Sequence, residues 1–238
     1  MSKHEETPQG NVHAAGLAIA ISAVASIAAV AMDSMAPGTD MLSRMQGMVS
    51  IQQPHMIVHL VVLACLLGLT FGFVVFSRRL GLHRTPVMMG LIAYCLGSFL
   101  MVVAAVLDGF VSTDTASMFV NRAPDVMQIG YWIMNTLEIV VLSDVAKVAW
   151  IFQSVAVVCW AIALLPERGM RRVVGVIGLV AGGAPAVAVF VVGSHMTASV
   201  VVGILLLQAV WNFSAAALLL SSKLTKPASA GAPALSQL

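Results

Sequence analysis

Six stretches of roughly twenty residues in this chain are almost free of charge, and short polar bridges separate them. A helix rises ~1.5 Å per residue, so each stretch can cross a hydrocarbon core ~30 Å thick. Water is absent from such a core, so every backbone N–H and C=O must pair within the segment. Helices achieve this locally. The runs cover residues 14–32, 55–77, 87–107, 145–165, 173–192 and 197–220. Charged residues are 9% of the chain, against roughly 25% in a soluble domain, too few to cover a water-facing surface. The expected fold is therefore all-α and polytopic. A single six-helix transmembrane domain occupies 14–220, flanked by a polar tail at 1–13 and a Pro/Ala/Ser-rich tail at 221–238. The composition of the second tail predicts disorder.

The bridges set a direction. "RRLGLHR" (78–84), "ERGMRR" (167–172) and "SSKLTK" (221–226) follow the second, fourth and sixth runs. Positive loops stay in the cytoplasm, and all three do so only if both termini are cytoplasmic. The expectation is a multi-pass protein of the inner (plasma) membrane. Its outer face then carries Asp33, Asp40, Asp108, Asp114, Asp125, Glu138 and Asp144 against the cations Arg44, Arg122 and Lys147. The formal net charge of +2 hides this separation. Nothing in it points to nucleic acid, and the lipid bilayer is the first partner.

Residues 124–144, "PDVMQIGYWIMNTLEIVVLSD", tempt a seventh crossing, but that would move "ERGMRR" outside. Asp125, Gln128, Asn135, Thr136 and Glu138 gather on one arc at 100° per residue, an amphipathic pattern. An outer-interface helix over 124–142 is expected, with Ser143 or Asp144 capping the fourth span. The run after "MSKHEETPQGNVH" loosely resembles a cleavable signal. Its length and weakly charged flank favour retention as the first span. Gly178 and Gly182 form a G-x-x-x-G pair suited to close helix packing, and Gln208 and Asn212 share a face that should hydrogen-bond to a neighbouring helix.

Chemistry gathers at the outer layer. In "IQQPHMIVHL" (51–60), Pro54 suits a first helical turn, and His55 and His59 stand four apart on one face. Asp108 ends the third span and His195 starts the sixth at the same predicted depth. Ionisable side chains inside a membrane are costly and turn inward toward partners. Three imidazoles and a carboxylate form a ligand set for copper or zinc. Met35, Met41, Met45 and Met48 crowd the first outer loop, and Met56 and Met196 adjoin histidines. Thioethers favour Cu(I), so copper is named first.

The simpler reading is a hydrogen-bonded His–Asp cluster with methionines as packing. Haem between facing histidines is a weaker candidate, because His195 lies near the interface. No H-E-x-x-H, G-x-S-x-G or Walker loop occurs, so no catalytic residue is assigned. Cys65, Cys95 and Cys159 lie in apolar runs and suggest no disulfide framework. Three functions stay open: binding, sensing or handling of a metal; a non-catalytic accessory subunit with membrane-protein partners; and, least favoured, transport.

Overall fold

The computed structural model of the chain describes residues 8–33, 37–192 and 198–221. Among them are six helices long and apolar enough to cross a membrane, and no strand. They are α1 (Pro8–Met32), α2 (Met41–Leu80), α3 (Thr85–Phe119), α4 (Pro124–Leu164), α5 (Met170–Val192) and α6 (Ala198–Leu220). The chain is a polytopic all-α membrane protein, as its hydropathy pattern predicts. Both tails fall mostly outside the described residues, and the stretch from Pro8 to His13 already belongs to α1.

The helices close a ring. α1 packs on α2 and α6, and the pairs α2–α3, α3–α4, α4–α5 and α5–α6 complete the circuit. Lipid gives no hydrophobic drive between helices, so small residues that let backbones approach carry the packing. A Cβ on Gly97 would lie 2.9 Å from the Ala149 carbonyl oxygen, and one on Gly182 would lie 2.8 Å from that of Ser154. Gly178 rests against the Trp211 ring. The G-x-x-x-G pair is thus a packing seam of α5 against α4 and α6.

One half of the ring is filled. Phe73, Trp160 and Trp211 stack with centroid spacings of 4.9 and 6.3 Å and planes within 10°. Phe76 meets both indoles edge-on. Leu80, Val87, Leu164 and Leu218 continue this core toward the basic loops. There Arg84 pairs with Glu167 at 3.6 Å and donates to the Ala163 carbonyl at 2.6 Å. Two of the three basic bridges therefore meet at one end of the bundle.

The acidic end is built differently. α2 has 40 residues, roughly 60 Å of rise, twice the hydrocarbon thickness. α3 and α4, with 35 and 41 residues, are similarly long. Their excess turns form a cap around buried Met45, Met48, Ala116, Met127 and Met134. Polar bonds tie it: Gln52 donates to Asp114 and accepts from Ser117, both at 3.0 Å.

Two local expectations change here. α2 does not start beside Pro54. It starts at Met41, behind a capping box in which Ser43 N–H donates to Asp40 Oδ1 (3.0 Å) and Asp40 N–H donates to Ser43 Oγ (3.2 Å). The Ser43 hydroxyl also donates to Asp40 Oδ2 (2.7 Å), and this bond first, with that of the Ser43 N–H, holds the exposed Asp40 carboxyl below its ordinary range. Pro54 lies inside the helix. The polar run of Ser50, Gln52 and Gln53 mimics a boundary, but it lies in mid-helix, with Ser50 and Gln53 exposed. The amphipathic segment is helical over Pro124–Thr136, with Trp132 exposed, and passes through a π-helical turn (Leu137–Leu142) into Ser143–Leu164 without a break. Ser143 and Asp144 therefore cap no helix.

Single cysteines at Leu82 and Arg168, in a chain whose native cysteines are replaced, should react with an impermeant thiol reagent from one side of sealed vesicles. A cysteine at Arg122 should react only from the other. Labelling of all three from one side would break the six-crossing arrangement.

Candidate functional site

Below the cap, α1, α2 and α3 bring four titratable side chains together. His55 and His59 stack along one face of α2 with ring centroids 4.4 Å apart, and each is only 7% exposed. Asp108 approaches from α3, and Asp33 from the residue that follows α1. The histidines turn inward and Asp108, expected close by, lies against both. His195, which was also expected to meet them, lies outside the described residues. Asp33 was expected only as one of several acids on this side. Its position directly after the first span put it at the right depth, but no local pattern ties residue 33 to residue 55.

The hydrogen bonds orient both rings. His55 Nδ1 lies 2.8 Å from Asp33 Oδ1, and His59 Nδ1 lies 3.0 Å from the His55 carbonyl oxygen. Each acceptor matches a proton on Nδ1, which leaves Nε2 as the open nitrogen of the neutral ring. Both Nε2 atoms face the same carboxylate. His59 Nε2 is 3.2 Å from Asp108 Oδ2, and His55 Nε2 is 3.7 Å from Asp108 Oδ1, beyond hydrogen-bond length. His55 Nε2 is buried and has no hydrogen-bond partner. Such an atom in a low-dielectric setting is costly unless something binds it. Asp33, His55 and His59 also each bring a donor atom within 4.8 Å of one another, close enough to hold one metal ion.

Local backbone form makes the approach feasible. Asp108 sits in a π-helical turn, Leu107–Ser112, within α3. Such turns add a residue to the helical circuit, re-aim side chains and recur at functional sites. Gly109 presses on His59: a Cβ there would fall 2.4 Å from both Cβ and Cγ of the histidine. This π-turn packs against the one in α4, which carries Glu138. Glu138 pairs with Arg44 at 3.2 Å, a link between the cap and the layer of the site. Sequence reasoning did not assign Glu138 or Gly109 a place here, since π-turns have no clear sequence signature.

A cavity of about 360 Å³ opens beneath the cluster. Asp33, His59 and Asp108 rim one end, and Tyr94 and Trp211 line the other. On its wall Gln208 Nε2 donates to Gln153 Oε1 at 2.9 Å, the interhelical bond expected of Gln208. Met45 and Met48 are buried in the cap core, so their thioethers act as packing. Met35 and Met196 lie outside the described residues.

Compared with protein-family models, curated proteins and solved structures, the chain matches none. The fold and the cluster together define a multi-pass helical membrane protein in which two buried histidines and an exposed aspartate could hold a metal ion.

Gly109→Ala should displace His59 and lower stability by about 1–3 kcal/mol, the usual range for overpacking a filled site. Thermal unfolding in detergent would read this as a lower midpoint. An unchanged midpoint would mean that the α3 turn can move away freely.

Proposed function

We propose that this protein binds a transition metal, zinc or copper, at His55, His59 and Asp108, and serves in binding, sensing or handling that metal. The observation that carries the reading is the pair of imidazoles fixed through Nδ1 with both Nε2 atoms turned on one carboxylate. A lone pair and a carboxylate attract each other only across a cation, either a metal ion or a proton. Two donors ~2 Å from a tetrahedral ion lie about 3.3 Å apart. The separations of 3.2 and 3.7 Å bracket that value. Asp33 then takes the part of a carboxylate behind a metal-bound histidine, fixing the tautomer and raising the basicity of the ring.

His195, which lies outside the described residues, stays in the proposal as the further ligand that the sequence suggests. Imidazole and carboxylate donors suit zinc or copper(II). The buried Met45 and Met48 remove part of the argument for copper(I). The bundle is proposed to sit in the plasma membrane with its basic end and both termini cytoplasmic, which turns the site outward.

Elemental analysis of detergent-purified chain, after equilibration with zinc or copper and removal of excess, should give about one ion per chain. His59→Ala should weaken binding by well over tenfold, since it removes a ligand. Asp33→Asn should be milder, in the ~10–100-fold range typical of groups behind a ligand. Wild-type chain free of metal under these conditions would leave a proton as the bridging cation and end the metal reading.

Replacing Met41, Met45 and Met48 together by Leu, near-isosteric changes, should leave the bound metal unchanged. Loss of all metal in that variant would move the site into the cap.

A further inference from the structure

The cavity beneath the cluster shares only its rim with the proposed ion site, and its shape is particular. Tyr94 and Asp108 lie fourteen residues apart on α3 and line its opposite ends, so its depth is roughly 20 Å. A cavity of about 360 Å³ drawn out over that depth is long for its volume, and an extended alkyl chain matches its length. The walls are mainly Ala, Val, Leu and Ile side chains, such as Val62, Ala104, Ala146 and Leu205. The deep amides of Gln153 and Gln208 bond to each other and so present less polarity to the bore. The carboxylates and the imidazole stand at the rim, at Asp33, His59 and Asp108, while the deeper polar groups are the neutral Tyr94, Gln153, Gln208 and Asn212. Pockets of about 300 Å³ and more, mostly apolar with a few convergent polar groups, are ligand sites by default.

We propose that this cavity binds a single-chain amphiphile of the long-chain carboxylate class. Its head group sits at the His59–Asp108 rim and its tail runs along the bore toward Tyr94 and Trp211. The proposal rests on the metal reading above, and charge explains why. Two rim carboxylates repel an anionic head, whereas a divalent ion held by the imidazoles and Asp108 attracts one and takes it as a fourth ligand, or as a fifth beside His195. Retention of the carboxylate should therefore depend on metal, while the tail supplies affinity through apolar burial.

The test uses full-length chain in lipid nanodiscs, tritiated palmitate as the probe and empty nanodiscs as the blank. Zinc-loaded protein should hold about one palmitate per chain above the blank, and stripping with a chelator should weaken retention at least tenfold. Ala146→Phe, which fills the bore at a half-buried position, should weaken it similarly while metal content stays at the wild-type value. Leu205→Trp serves the same purpose from α6 should Ala146→Phe fail to fold, with metal content again reporting the intact site. Metal bound without saturable palmitate, or palmitate held equally by stripped protein or by a folded blocking variant, overturns this inference alone. No metal in the wild-type chain overturns both this inference and the one beneath it.

Discussion

Asp108 lies between two imidazole nitrogens, and much of the acidic half of the molecule is organised around that arrangement. Carboxylates and imidazoles are expensive to remove from water, and two carboxylates near each other more so. The structure meets the cost with contacts from three helices: Asp33 behind His55, a main-chain carbonyl behind His59, and a π-turn that carries Asp108 forward. Gly109 is part of the same solution, because any larger residue would push the turn away from His59.

The long helices follow from the same need. Had α2, α3 and α4 ended at the hydrocarbon boundary, the polar cluster would lie open to the interface. Instead their additional turns pack over it around buried methionines, and the Arg44–Glu138 pair links that cap to the layer of the site. Glu138 retains one buried oxygen without a partner, so the layer around the cluster is not fully satisfied.

What could be read from the sequence was what depends on local periodicity. The number of spans follows from run length, the shared face of His55 and His59 from a spacing of four, and the depth of Asp108 from its place at the end of an apolar run. What could not be read depends on contacts between distant residues or on rare backbone forms. Asp33 meets His55 across twenty-two positions. Pro54 marked a boundary in the sequence, yet the helix runs through it from Met41 to Leu80. The amphipathic pattern of 124–142 is real, but the face that packs into the cap carries Met127, Gly130 and Met134 while Asp125 and Gln128 stay exposed, and the helix joins the next span through a π-turn. The methionines favoured copper by composition and proved, at Met45 and Met48, to be filling between helices.

The stacked Phe73, Trp160 and Trp211 rings close the bundle below the cavity. Among the described residues the cavity is therefore a cup whose floor lies toward the basic end. The charges at its rim stand near the other end of the bundle and cross only the shallow part of a transmembrane field, so membrane voltage has little leverage over them.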